Sequence, residues 1–451
     1  MIMKLSRFII PVLFITALSS CKKFLDVQPA DAISDELTIV DKASAQAALR
    51  GVYRALAADS YYGNSFQSIG YLGGDNVQWT GSQAIVQQFI EHKVKGDNAT
   101  VAGIWSAIYS TINRANHVIA KVQGVADASF TTEEKNQVTG EAYFIRALAY
   151  FDLARTWGGV QIVLTPTLSS KDQNEIRRST QAETYAQVLT DLTTAETLLA
   201  LPSSQNPARV NKETVWALRS RYHLYQKEWA LAEIYAKKVL ENTTNYQLIK
   251  PYGAFFSPAS AVATKESVFE LSYSSTYTNS HRNQWQPPAN GGTRQIAPSE
   301  AFVNLVYDST IGGNRNVLVA KTSAGLWYGN FYYRSPATDP AYVIRIAEIY
   351  LIRAEALAQL NNLSEALENL NLVRNRAGLA PSTAVTQDEI LLAIENERRI
   401  EFAFEPHRWF DLVRTGRAAE VLGLTDTNKY YLPIPASELS TDPSLEQNPG
   451  Y

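Results

Sequence analysis

The chain has one cysteine, Cys21, five histidines and two methionines among 451 residues. A single thiol cannot close an intramolecular disulfide, so the fold must be held by its core. His92, His117, His223, His281 and His407 are scattered, with no H-x-x-x-H or H-E-x-x-H spacing, which argues against a zinc site. No G-x-S-x-G, P-loop or G-x-G-x-x-G occurs, so the common nucleophile elbow and nucleotide cradles are missing. Basic residues are not in excess either: the formal net charge is −3, which argues against nucleic acid or an anionic membrane surface as partner. Beyond residue 20 no apolar run is long enough to cross a bilayer. These absences leave no persuasive catalytic constellation, no metal site and no cofactor cradle.

One apolar run does stand at the start. Lys4 and Arg7 precede Phe8–Leu18, which is apolar apart from Pro11 and Thr16, and is too short for a mature membrane helix. It leads through Leu18-Ser19-Ser20 into Cys21, an ending that resembles the lipobox of bacterial lipoproteins. That resemblance implies cleavage before Cys21, acylation of its thiol and a firm lipid anchor. Removing residues 1–20 takes away Lys4 and Arg7 and leaves 39 basic against 44 acidic residues, a net charge of −5.

What the sequence has in quantity is helical patterning and aromatics, with 24 Tyr and 8 Trp. After an extended leader over 22–40, Leu49, Val52, Tyr53 and Leu56 recur at helical spacing. Further helices are expected at 101–122, 133–157, 180–200, 211–227, 229–242, 343–360, 364–377 and 387–404. Residues 160–168 suggest a short strand, and Val268–Tyr273 is the best strand candidate. Ser364 is an expected N-cap, Gly378 a terminator, and Thr386 with Glu389 a capping box. Helices 343–360 and 364–377 form a pair with small residues at tetratricopeptide-like offsets (Ala354, Leu357, Ala366, Leu370, Val373), and 211–227 with 229–242 repeats it. Glu141–Trp157 and Ala182–Leu199 make a third pair. The fold class is therefore mostly α, a scaffold of such pairs with an irregular, loop-rich binding subdomain and a few short strands.

The most charged stretch, residues 395–417, sets Glu397, Glu401 and Glu405 on one helical face beside Arg398, Arg399, Arg408 and Arg414. A glycosidase acid and base would need such carboxylates. A guanidinium within a turn or two of each holds carboxyl pKa values down, so an architectural ion network is the better reading. Tryptophans divide by context. Trp105, Trp157, Trp216, Trp229 and Trp409 lie in helical patterns and belong to the core. Trp79, Trp285 and Trp327 lie in Gly/Asn/Gln-rich stretches, where a flat ring can stack on a sugar while neighbouring polar groups bond its hydroxyls. Packing of their own loops is the competing explanation.

Together these segments resemble the SusD/RagB family of outer-membrane nutrient-binding lipoproteins. The resemblance is carried by "CKKFLDVQPAD", "GEAYFIRALAYFDLARTWGGVQIV", "RIAEIYLIRAEALAQL", "ALENLNLVRNRAGL", "ERRIEFAFEPHRWFDLVRTGRA" and "YLPIPASEL". It implies a signal peptide over 1–20 and an N-terminal helical region over 21–245 with a first binding loop at 59–98. A C-terminal region over 246–451 follows, with a loop-rich insert at 246–340. It implies a non-enzymatic protein, surface-exposed and anchored to the outer membrane through Cys21. That protein would bind an oligosaccharide as the lid of a SusC-like TonB-dependent transporter. Peptide uptake by the same lid is the alternative, and a surface glycoside hydrolase using Glu397 or Glu401, or a pure scaffold, stands further off. The family's ligand contacts sit in variable loops, so the carry-over is regional: Asp75, Asn76 and Trp79 in the first loop, Trp285, Arg294, Trp327 and Tyr328 in later ones.

Overall fold

The computed structural model describes residues 38–169, 176–258 and 263–451; Cys21 and the leader lie outside the described residues. The scaffold starts with α1 (Lys42–Leu56), α2 (Ser65–Leu72), the strand β1 (Val77–Trp79), α3 (Ala84–Ile90), α4 (Ala99–Lys121) and α5 (Thr132–Trp157). Then follow α6 (Gln181–Leu198), α7 (Lys212–Tyr225), α8 (Trp229–Leu240) and β2 (Ser267–Leu271). The next segment holds α9 (His281–Trp285), β3 (Ile296–Pro298), α10 (Glu300–Tyr307), β4 (Val319–Lys321) and β5 (Trp327–Gly329). The chain returns to helices through β6 (Ala341–Arg345), with α11 (Ile346–Gln359), α12 (Leu363–Arg376), α13 (Gln387–Glu401), α14 (Arg408–Arg414), α15 (Ala418–Leu422) and α16 (Ala436–Thr441).

Local chemistry explains most of these boundaries. Thr131, Thr180, Asn211 and Thr386 each cap a helix with a reciprocal side-chain box, which satisfies two otherwise orphaned N–H groups. Gly158 (φ +78°) ends α5 and Gly378 (φ +77°) follows α12, conformations that would strain any residue with a Cβ. Three expectations shift. Val343–Arg345 belongs to β6, hydrogen-bonded antiparallel to β2, so α11 starts only at Ile346. Ser364 does not cap α12; Asn362 occupies that position after Asn361 turns the chain at φ +61°. The expected strand at 160–168 reduces to one bridge, Gln161 with Arg178.

The helix pairs are all present and are neighbours in space, with α6 also packed on α7. α5 packs on α6, α7 on α8 and α11 on α12, while α8 also packs on α11. Units separated in sequence by the 246–340 stretch thus become one stack, joined by Arg353 to Glu233 at 2.9 Å. Ala354, Leu357, Ala366, Leu370 and Val373 fill the seam between α11 and α12, with Ile390 and Ile394 of α13 closing it. Trp105 and Trp157 pack edge to face at 5.3 Å in the larger core. Residues 432–448 return to the end of α5: Leu432 N–H donates to the Thr156 carbonyl at 2.8 Å, Trp157 Nε1 to Pro433 at 2.9 Å, and Asn448 to Trp157 at 3.0 Å.

One close approach fixes where α2 sits. A Cβ on Gly70 would overlap the backbone of Pro406, so this glycine lets α2 lie directly on the turn between α13 and α14. Gly70→Ala should cost about 2 kcal/mol, the usual penalty of overpacking a rigid contact, read as a lowered urea midpoint with an unchanged slope.

Candidate functional site

The segment 59–98, expected as a loop, contains α2, β1 and α3, and 246–340 contains α9, α10 and β2 to β5. Their short strands place residues 200 and more positions apart side by side. β1 runs antiparallel to β3 with Trp79 opposite Ile296, and Thr80 extends the pairing by donating to the carbonyls of Gln295 (2.8 Å) and Arg294 (2.5 Å). β4 and β5 form a hairpin with Lys321 opposite Trp327, and β5 lies against β3.

Arg294 links the two. It adopts φ +47° and donates from Nε to the Trp327 carbonyl at 2.8 Å. Its two terminal nitrogens have no hydrogen-bond partner among the described residues, so they remain donors for something outside the chain. Partial burial pulls this guanidinium's pKa down from its ordinary value, which leaves it a cation at neutral pH. Trp327 is half-buried, with the Lys321 ammonium 4.8 Å over its ring and Tyr307 at 5.3 Å. Tyr307 is 51% exposed, as is Leu326. Trp79 is half-buried as well; its ring covers Gly81, where any side chain would collide with it. The pairing of β1 with β3 and the packing of β5 on β3 thus bring the backbones that carry Trp79, Arg294 and Trp327 into one neighbourhood, with Tyr328 next to Trp327 in β5.

Three of the expected contact residues are taken up by contacts within the protein. Trp285 is only 1% exposed, packed on Phe404 (4.4 Å) and Tyr71 (5.4 Å), with Gly329 pressed onto its ring. Its ring has no open face for a sugar; the polar sequence around it belongs to the loop, while the ring itself enters the core. Asn76 is fully buried, donating to the Arg399 carbonyl at 2.9 Å and accepting from Arg399 Nε at 2.9 Å. Asp75 accepts from Arg408 at 2.7 Å and pairs with Arg399 at 3.0 Å. Burial pushes its carboxyl up, but these guanidiniums outweigh that and hold it below the usual carboxylate range. Asp75 and Asn76 thus fasten the start of β1 to α13 and α14. Sequence reasoning missed Tyr307 and Lys321. The pattern of α10 offered a signal for Tyr307, since Phe302, Val303 and Val306 are buried and Tyr307 falls off that stripe.

Glu397 and Glu401 lie far into the interior on α13, and Glu405, expected on the same helical face, is buried in the turn after α13 has ended at Glu401. Glu401 pairs with Arg315 and Arg345 at 2.8 Å and with Arg376, Glu266 with Arg345 (2.9 Å) and Arg376 (3.0 Å), and Glu405 with Arg345 at 2.6 Å. Arg315, Arg345, Arg376, Glu266 and Glu401 have fully buried side chains. Among the described residues no group of three or more His, Cys, Asp or Glu is arranged to hold a metal ion, and no helix is long and apolar enough to cross a membrane.

Residues 317–428 match the model of the SusD family, and residues 23–224 match a second model described as starch-binding, associating with outer membrane. The SusD-like protein P38 of Formosa agariphila is 28% identical, with 96% of each chain aligned. A SusD superfamily structure from Bacteroides thetaiotaomicron superposes with a TM-score of 0.79 at 26% identity, covering 91% of this chain and 100% of the other. A laminarin-binding SusD-like protein superposes equally well, with a TM-score of 0.79 at 25% identity over 92% and 100%.

Proposed function

The chain belongs to the SusD/RagB family, and on that premise we propose that it is a non-catalytic glycan-binding lipoprotein of the cell surface. Cys21 anchors it to the outer membrane, and it serves as the lid of a SusC-like TonB-dependent transporter. The observation that carries the glycan reading is the Trp79, Arg294 and Trp327 surface. Aromatic faces stack on the apolar face of a sugar ring, while unpaired guanidinium nitrogens bond hydroxyls, and both elements are carried here by β1, β5 and the segment before β3, which lie side by side. Tyr307, Lys321 and Tyr328 extend the same surface. The laminarin-binding neighbour supports a β-glucan as the first probe. No step of bond cleavage is assigned to any residue, because the acidic stripe of α13 is occupied by arginines.

The test is titration of the purified protein with laminarin, amylose and a mixed peptide pool. One of the glycans should bind, and Trp327→Ala or Trp79→Ala should each weaken that binding at least tenfold, the loss of one stacking contact. Binding of peptides without any glycan would sink the glycan reading and favour a lid for peptide uptake.

A further inference from the structure

A second cavity, with no residue in common with the Trp327 surface, opens between the end of α5, the start of α6, the end of α7 and α14. Its volume is about 430 Å³, room for one or two sugar rings. Arg155, Gln181, Tyr185, Tyr225, Gln226, Lys227, Arg414 and Tyr431 supply its polar and aromatic lining, and none of its lining residues is a carboxylate.

Most of these groups are already occupied. Arg155 is paired with Asp152 at 2.7 Å, and Arg414 with Glu355 (2.6 Å) and Asp411 (2.9 Å). Gln181 donates to the Ala154 carbonyl at 2.9 Å and accepts from the Tyr431 hydroxyl at 3.2 Å. Two groups are not. Tyr185 is 8% exposed, yet its hydroxyl has no hydrogen-bond partner among the described residues. The hydroxyl is not among the buried unpartnered atoms, so it opens onto the cavity, where it is free to donate. Burial raises its pKa well above the ordinary value, so it stands as a neutral donor. Lys227 reaches the mouth from a left-handed turn after α7 (φ +58°) and has no carboxylate within ion-pair distance among the described residues. Gln226 beside it makes no side-chain hydrogen bond.

We propose that this cavity is a second ligand site, which takes a sugar bearing a carboxylate or sulfate group. The ring lies among Tyr185, Tyr225 and Tyr431, its hydroxyls meet Tyr185 and Gln226, and its anionic group meets Lys227. A neutral sugar would use the first set and leave the ammonium unpaired. A free anion would use the ammonium and make no use of the Tyr185 hydroxyl or the rings.

Calorimetric titration of the purified protein at low salt tests this with D-glucuronate, D-galactose 6-sulfate, D-glucose, sodium acetate and sodium sulfate. At least one anionic sugar should bind, with glucose and the simple anions at least tenfold weaker. Tyr185→Phe, which removes only the hydroxyl, and Lys227→Gln, an exposed change that leaves folding intact, should each weaken it about tenfold. Trp327→Ala should leave it unchanged, which separates this site from the glycan surface. Equal affinity for glucose, an acetate or sulfate response equal to the sugar's, no binding by any probe, or indifference to both substitutions would each overturn the proposal.

Discussion

Glu401→Ala is expected to cost about 4 kcal/mol of unfolding free energy, the range for breaking a buried ion pair by removing one partner. Alanine there would strip a fully buried carboxylate from Arg315, Arg345 and Arg376 together, leaving three desolvated guanidiniums to share Glu266, Glu397 and Glu405. Chemical denaturation of the two proteins would measure it. Glu420→Ala, which touches only the half-exposed Arg417, should change stability by about 0.5 kcal/mol or less. The pH dependence gives an independent check. Burial raises the Glu401 carboxyl, but the three guanidiniums outweigh it and set its pKa at about 2, below the ordinary 4.5. A depressed carboxyl stabilises the fold above its unfolded pKa and loses that contribution as the pH falls through the folded value. The difference between parent and Glu401→Ala should therefore shrink between about pH 4.5 and 2. Glu405 runs the other way, raised chiefly by burial despite Arg345, so its ionisation opposes the fold as pH rises. A difference that stayed constant across that window would show that Glu401 acts through packing and not charge.

Trp285→Ala should cost about 3–5 kcal/mol, the usual loss for emptying a buried aromatic site. The indole is enclosed by Tyr71, Phe404 and Gly329, so its removal leaves a cavity under β5. Glycan affinity should fall as well, because the strand that carries Trp327 loses its floor. The order of the two losses is diagnostic. Trp327→Ala should weaken binding and leave the melting temperature within a few degrees, whereas Trp285→Ala should lower the melting temperature by about 6 °C or more. If Trp285→Ala melted like the parent and bound no glycan, its ring would have to be a ligand contact after all.

Helices were legible in the sequence because their signals are local. Thr386 and Glu389 lie three residues apart, and the seam residues of α11 and α12 repeat within one turn. The site was legible only in part, because its geometry depends on pairings across the chain. Nothing near "HRNQWQPPAN" tells that Trp285 turns inward to Phe404, and nothing near "GGDNVQWTG" tells that Asn76 meets Arg399. The strands β1 and β3 are three residues each, too short for a period-two pattern, and exist because each supplies the other's hydrogen bonds. Polar flanks grouped Trp79, Trp285 and Trp327 in one expectation, and could not sort the half-buried rings of Trp79 and Trp327 from the buried ring of Trp285. The charge stripe on α13 was readable because like charges at a four-residue period need partners wherever they are buried.

The return of residues 432–448 onto α5 also sets an order in time. Thr156 and Trp157 are made early in synthesis, yet the groups that satisfy their backbone and indole arrive nearly 300 residues later. Closing so long a loop is slow, and until it closes the end of α5 keeps unpaired polar groups. The end of α5 is therefore locked only once the last segment of the chain has arrived.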